Sequence, residues 1–170
     1  APEVTEATEQ QKKMLMAQAR VLRAMCYFHA ANYHADQYSS DTLDKLSIPL
    51  VTSSSVEAPS PQVTIKELYE FMEDDLLKSL VDLPNKGETI HHASKAAGYG
   101  MLARLYLSMS NYDEALKYAE LALEENSALF DWVEYYENDK ERFAEPSSDY
   151  AASEYNTVCK PMAKTNPENY

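Results

Sequence analysis

Two groups of aromatic side chains are the residues of this 170-residue sequence that best suit ligand binding. Aromatic faces pack against the C–H groups of a ligand, while neighbouring carboxylate, imidazole and phenol groups form hydrogen bonds with its hydroxyls. The alternative interpretation is that these aromatic residues only cover the ends of helices, each with its polar atom in water. The first group is Tyr33, His34, Asp36 and Tyr38, and the second is Trp132, Tyr135 and Tyr136.

The sequence lacks the patterns that indicate catalysis or metal binding. Its four histidines do not have HExxH spacing, and no CxxC pair, DxDxDG loop or GxSxG turn occurs. The three glycines form no phosphate-binding loop. We therefore expect no enzyme activity, no cofactor and no metal. We also expect His91 and His92 to be solvated turn residues, and the run Glu73, Asp74 and Asp75 to lie on a solvated helix face.

The charge balance limits the classes of partner. The 28 acidic residues outnumber the 15 basic ones, which gives a formal net charge of −13. Such a chain repels phosphate backbones and anionic headgroups, so we do not expect it to bind nucleic acid or a lipid surface directly. The chain has no run of 18 apolar residues that could span a membrane. Residues 1–11 are polar and unlike a signal peptide, so either a leader was removed or the sequence begins inside a longer reading frame.

The positions of the aromatic groups depend on helices that the apolar periodicity predicts along most of the chain. The first helix extends from Thr8, with Gln11 completing a capping box, to about Gln37. Cys26 lies inside this pattern and is expected to be a small buried residue, although a bridge to Cys159 stays open. Residues 39–63 contain three prolines and predict a long ordered loop with at most one short edge strand.

Four further helices follow the loop. The second begins at Thr64, with Glu67 completing another capping box, and ends at a turn signal at 83–87. The third begins after Ser94 as N-cap, and the fourth covers residues 113–126. Asp131 and Glu134 are expected to cap a fifth helix, which carries the second aromatic group. From Pro146 to Tyr170 the polar composition predicts irregular structure, so the fold class is all-α with a long ordered loop and an irregular C-terminal segment.

Residues 99–127 match the spacing of a tetratricopeptide helical hairpin. Small residues in this pattern let two antiparallel helices approach closely, and the tyrosines Tyr99, Tyr106 and Tyr112 are expected to fill the hairpin core. A single repeat cannot bury its own face, so the first two helices must supply packing neighbours. The matching positions are Tyr99, Leu102, Ala103, Tyr106, Tyr112, Ala115, Ala119, Ala122 and Leu123.

Four segments in this order resemble the SusD/RagB family. Residues 19–28, which read ARVLRAMCYF, are similar to the first conserved helix of that family, and IPLV at 48–51 is similar to its VPLV segment. TIKELYE at 64–70, followed by Leu83-Pro84, and SKAAGYGMLARLYL at 94–107 are similar to its next two helices. The resemblance covers roughly residues 9–130, and the order and spacing of the four segments together make it specific.

The resemblance implies a function as well as a fold. It implies a non-catalytic lipoprotein on the outward face of the bacterial outer membrane, which binds an oligosaccharide or polysaccharide and works with a TonB-dependent transporter. Family members are several-fold longer and attach to the membrane through a lipid anchor. This chain therefore resembles their helical amino-terminal portion, with residues 1–130 as the helical region and 131–170 as a short helix and tail of the same domain.

On this resemblance, both aromatic groups become candidate glycan-binding residues. The rival hypothesis is a tetratricopeptide-type adaptor that grips a partner peptide in its concave face. Lys95 and Arg104 on the third helix would be the basic residues for such a groove.

Overall fold

The structure, a computed structural model, describes residues 8–55, 57–89, 91–129 and 131–144. In these residues the chain forms mainly helices, which confirms the predicted helical fold, while the tetratricopeptide assignment stays a prediction. The segment from Pro146 to Tyr170, with Cys159, lies outside the described residues. The elements in chain order are α1 (Glu9–His34), β1 (Leu46–Pro49), β2 (Gln62–Thr64), α2 (Ile65–Ser79), α3 (Lys95–Ser108), α4 (Tyr112–Glu125) and α5 (Trp132–Ala144).

The long helix α1 begins at the predicted capping box. Thr8 Oγ1 accepts a hydrogen bond from the backbone N–H of Gln11, and the Gln11 side chain accepts one from the backbone N–H of Thr8. The helix ends at His34, three residues before the predicted end, because Ala35 adopts an extended conformation. One face of α1 supplies the core with Ala17, Val21, Ala24, Phe28 and Ala31, all of them buried.

Cys26 is exposed, so the prediction that it is a small buried residue is wrong. Helical geometry explains the difference, because a residue advances about 100° around the helix axis per position. Cys26 lies two positions after the core residue Ala24 and two positions before the core residue Phe28. Two positions turn the helix by about 200°, so the Cys26 side chain points away from the core.

The loop between α1 and α2 contains a small antiparallel sheet of two strands, β1 and β2. The prediction of at most one edge strand was therefore wrong. The prolines do not prevent pairing because Pro49 is the last residue of β1 and Pro61 precedes β2, where the ladder needs no donor from them. The loop is also tied to α1, since the Tyr27 hydroxyl accepts from the Val51 N–H at 2.8 Å and donates to its carbonyl at 3.2 Å.

Helix α2 begins at its predicted capping box, with Thr64 as N-cap and Glu67 as the reciprocal partner. Its buried residues, which pack against α1 in the core, include Leu68, Met72 and Leu76. Helix α3 starts after Ser94, as predicted. It approaches the turn after α2 so closely that a Cβ on Gly98 would lie 3.0 Å from methyl carbons of Leu80 and Leu83.

Helices α3 and α4 form an antiparallel hairpin with a very short connection. The N–H of Asn111 donates to the Tyr106 carbonyl and that of Ser110 to the Leu107 carbonyl, which is the bonding pattern of a Schellman motif. Ser110 takes the left-handed conformation that this motif requires, with φ 59°. Helix α3 ends at Ser108 with Met109 as its C-cap, and Asn111, which closes the Schellman motif, is also the N-cap of α4.

The core of the hairpin is a stack of tyrosines. Tyr118 lies parallel to Tyr106, with ring centroids 5.5 Å apart, and contacts Tyr99 at 6.1 Å. The prediction that Tyr112 joins this core is wrong, since its side chain is 66% exposed. Tyr112 is the first residue of α4, and the positions facing α3 are Ala115 and Tyr118, three and six residues later.

Candidate functional site

The first predicted group lies at the carboxyl end of α1. Tyr33 is in the last turn of the helix and is 82% exposed, which makes it the most exposed of the candidate aromatic residues. The imidazole of His34 lies beside it, with ring centroids 6.5 Å apart. Asp36 follows the helix and forms a 2.8 Å ion pair between its Oδ2 atom and Lys45 Nζ. These residues present an open aromatic face next to polar groups.

Tyr38 has a different environment from the rest of its group. Its ring packs on Tyr69 of α2, with centroids 4.7 Å apart, and it is half-buried against the core. Burial raises the pKa of the Tyr38 phenol, and the nearby carboxylates Glu70 and Glu73 raise it further. The structure therefore brings Tyr33 and His34 together on the surface, while Tyr38 holds the chain after α1 against α2.

The second predicted group lies on one face at the start of α5. Asp131 caps this helix, since its Oδ1 atom accepts hydrogen bonds from the N–H groups of Val133 and Glu134 at 3.0 and 2.9 Å. Trp132 and Tyr135 meet edge to face, with centroids 6.2 Å apart. Trp132 is 45% exposed and Tyr136 is 54% exposed, so both retain ring surface that a ligand could contact.

The sequence interpretation missed an open apolar groove between α1, α3 and the turn before α3. Its volume is about 400 Å³, and its walls include Leu15, Leu22, Met25 and Met101. His91 and His92 also line it. His91 is exposed as expected, whereas His92 is half-buried and its Nδ1 atom lies 2.8 Å from Thr89 Oγ1. The groove offers few polar groups, so it does not have the chemistry that sugar hydroxyls require.

Two of the three consecutive carboxylates of α2, Glu73 and Asp75, form hydrogen bonds with other helices. The prediction of a solvated face is wrong for Asp75, which is 4% exposed and accepts two hydrogen bonds from Arg23 of α1, at 2.7 and 2.8 Å. Glu73 accepts a hydrogen bond from the Tyr106 hydroxyl at 2.5 Å. Burial and this bond both raise the pKa of Tyr106. Asp74 does lie on the surface, where it pairs with Lys78.

In residues 8–144, apart from the three single gaps, no group of three or more His, Cys, Asp or Glu side chains is arranged to hold a metal ion. Among the helices of that same part of the chain, none is long and apolar enough to cross a membrane.

Comparison with known proteins gives one consistent result. A SusD-like family model, described as starch-binding associating with outer membrane, matches residues 3–107, which is more than half of the chain. A SusD superfamily protein of Bacteroides thetaiotaomicron is similar in structure, with a TM-score of 0.69 and 21% identity. A SusD-like carbohydrate binding protein of Bacteroides vulgatus has a TM-score of 0.67 and 23% identity. A laminarin binding SusD-like protein has a TM-score of 0.55 and 20% identity.

The matches cover most of this chain but only part of each relative. The three structures align with 81%, 76% and 69% of this chain, and with 30%, 28% and 24% of their own. This chain therefore spans less than a third of the length of the solved structures it matches. A search of curated proteins gives no match.

Proposed function

This chain belongs to the SusD-like family, and we propose that it is the helical portion of a non-catalytic glycan-binding protein of nutrient uptake. The protein would act on the outward face of the outer membrane, held there by a lipid anchor, and pass an oligosaccharide or polysaccharide to a TonB-dependent transporter. In this proposal the helices serve mainly as a scaffold and as the surface that docks the transporter.

The exposed ring of Tyr33 is the observation that carries the glycan-binding part of the proposal. Sugars present C–H patches that pack on aromatic faces, and a phenol beside imidazole and carboxylate groups supplies hydrogen-bond partners for hydroxyls. Tyr33 offers 82% of its surface, with His34 adjacent and Asp36 two residues after the helix end. The family description and the laminarin-binding relative favour a glucan as the first ligand to test.

A binding surface also needs a rigid base, and the end of α1 has one. Asp36 is held by Lys45, and Tyr38 packs on Tyr69, so the chain leaving α1 is anchored to the rest of the fold. Further along the loop, Val51 is bound to Tyr27 through both backbone groups. These contacts support the proposed scaffold role, because they hold the region around Tyr33 without using its ring.

Affinity electrophoresis and calorimetry with soluble starch, laminarin and a non-glucan polysaccharide test the glycan-binding part. We expect binding to a glucan that falls at least about tenfold in Tyr33→Ala, since loss of a stacked aromatic anchor typically costs that much affinity. Trp132→Ala tests the second group in the same way. Tyr112→Ala is the matched control, because it removes a tyrosine of similar exposure on another helix. Binding that is unchanged in both test variants would remove these residues from the site.

The transporter part needs a separate experiment. The tagged chain, incubated with detergent-solubilised outer membranes of a Bacteroides species, should retain a TonB-dependent transporter that mass spectrometry identifies. A His34→Ala variant controls for the glycan site and should retain the transporter equally well. Capture of a cytosolic protein instead, together with silence across the glycan panel, would favour the tetratricopeptide-type adaptor.

A further inference from the structure

A single threonine holds the chain that leaves α1. Thr42 Oγ1 donates a hydrogen bond to the Gln37 carbonyl at 2.6 Å and accepts one from the backbone N–H of Ser39 at 3.0 Å. The backbone N–H of Thr42 also donates to the Ser39 carbonyl at 3.0 Å. Together these bonds close residues 37–42 into a compact turn. A side chain that bonds the neighbouring backbone in this way fixes the conformation of a loop.

The same threonine also fixes the residue that pairs with Asp36. The Thr42 carbonyl accepts a hydrogen bond from the backbone N–H of Lys45 at 2.9 Å. Lys45 Nζ in turn lies 2.8 Å from Asp36 Oδ2, in a pair whose two side chains are both 56% exposed. An exposed pair of flexible side chains is weak by itself. The turn around Thr42 brings the two backbones together before the pair forms, which lowers the entropy cost of holding Asp36 in place.

This turn is docked on the start of α2. The N–H of Ile65 donates to the Lys45 carbonyl at 3.0 Å. The N–H of Lys66 donates to the Leu43 carbonyl at 3.1 Å. The first N–H groups of a helix have no partner inside the helix, so the turn supplies partners that α2 needs. All of these bonds join residues 36–66 to one another, and they do not depend on what lies against the outer surface.

We propose that Thr42 is a positioning residue of the candidate glycan-binding surface, where it fixes the Asp36 carboxylate at the end of α1. The inference rests on the proposed function, because it is a bound glycan that would use this carboxylate. A carboxylate binds a sugar hydroxyl more tightly when its position is fixed before the ligand arrives. The hydroxyl of Thr42 therefore contributes to affinity without touching the ligand.

Calorimetry with laminarin and soluble starch tests the proposal in two variants. Thr42→Val removes the hydroxyl at nearly constant shape, and Thr42→Ser keeps it. We expect an affinity about fivefold lower in Thr42→Val, which is the value of one ordinary hydrogen bond, and an affinity close to that of the wild type in Thr42→Ser. Thr89→Val is the matched control, because it removes a hydroxyl that bonds the turn before α3. Wild-type affinity in Thr42→Val, or equal losses in Thr42→Val and Thr42→Ser, would overturn the proposal.

The Asp36→Ala background separates positioning from a general loss of stability. Because Thr42 acts through Asp36, adding Thr42→Val to Asp36→Ala should lower the affinity no further, whereas two independent effects would add. Lys45→Met provides a second route to the same result, since the Lys45 side chain is more than half exposed and its removal should leave the fold intact in circular dichroism. A loss of affinity in Thr42→Val or Lys45→Met that persists in full on the Asp36→Ala background would contradict the inference.

Amide hydrogen exchange, measured by NMR without any glycan, distinguishes failure of this inference from failure of the proposed function. Thr42→Val should raise the exchange rates of the Ser39 and Lys45 amides about fivefold, while Thr42→Ser leaves them unchanged. The Leu68 amide inside α2 should exchange at the wild-type rate in both variants. A wild-type chain that binds no polysaccharide would end the glycan function, and raised exchange rates would still support the positioning of Asp36. Unchanged rates would overturn the inference whether or not a glycan binds.

Discussion

Replacing Arg23 by alanine should destabilise this protein more than replacing Asp75, although the two side chains form one ion pair. The asymmetry follows from burial. The Asp75 side chain is 5% exposed, whereas that of Arg23 is 41% exposed and its guanidinium lies 4.9 Å from the ring centroid of Phe71. Without Arg23, a buried carboxylate loses both of its guanidinium hydrogen bonds. Without Asp75, the guanidinium keeps the aromatic ring and reaches water.

The magnitudes can be estimated from these environments. Removing the partner of a buried charge costs about 3–5 kcal/mol, so we expect Arg23→Ala to lower the free energy of unfolding by about 3 kcal/mol. Asp75→Ala loses charge-assisted hydrogen bonds but leaves a cation that water can solvate, so we expect about 1.5 kcal/mol. At about 2–4 °C per kcal/mol for a chain of this size, Arg23→Ala lowers the melting temperature by about 6–12 °C.

Urea denaturation followed by circular dichroism measures both values. Combining Arg23→Ala with Asp75→Asn should recover part of the stability lost in Arg23→Ala, because a neutral amide removes the uncompensated buried charge. Lys78→Ala is the control, since it breaks an exposed pair with Asp74 and should change stability by less than about 0.5 kcal/mol. A loss in Asp75→Ala equal to or larger than that in Arg23→Ala would refute the reasoning.

Three further predictions concern the helices. Gly100→Ala should raise the free energy of unfolding by about 0.5–1 kcal/mol in urea titrations, because a Cβ there meets nothing within 4 Å and glycine is costly inside a helix. Gly98→Ala should gain less, since its Cβ would press on two leucine methyl groups. Because the pKa of Tyr106 is raised, the contribution of its phenol to folding stability is complete below pH 10 and is lost as the pH rises further. Tyr106→Phe should therefore have a flatter alkaline limb in melting curves measured as a function of pH. The hydrogen bonds from Thr64 lower the pKa of Glu67, so its contribution is complete above pH 4.5 and is lost as the pH falls. Glu67→Gln should therefore have a flatter acid limb in the same melting curves.

Each of these predictions has a result that would contradict it. Equal gains in the two glycine variants would mean that the space around Gly98 is not limiting. Alkaline curves that superimpose for wild type and Tyr106→Phe would mean that the phenol titrates as it does in the unfolded chain. An acid limb unchanged in Glu67→Gln would mean that the capping box does not persist in solution.

Local signals in the sequence predicted the helix starts well. A capping box depends on residues three positions apart, so Thr8 with Gln11 and Thr64 with Glu67 could be identified from spacing alone, and Ser94 likewise. Features that depend on contacts between distant parts of the chain could not be predicted from spacing. In the sequence, Asp75 is one of three consecutive acidic residues of α2. Only the packing of α1 against α2 brings Arg23, 52 residues away, to its carboxylate.

The candidate site also has one part that spacing could predict and one part that depends on contacts between distant segments. Spacing placed Tyr33 and His34 at the end of a helix, and the structure shows them adjacent on the surface. Spacing could not show that Tyr38 packs on Tyr69, because that contact needs the loop and the small sheet to return the chain to α2. The glycan-binding role of these residues stays a prediction.

The three-residue connection between α3 and α4 has a consequence for the order of folding. A short connection makes the closure of this hairpin cheap in chain entropy, so α3 and α4 pair readily once both exist. Helix α1 precedes both α2 and α3 in the chain, yet its buried face packs on them, and the last residue of α3 is Ser108. Until synthesis has passed Ser108, the buried face of α1 therefore lacks the helices that cover it.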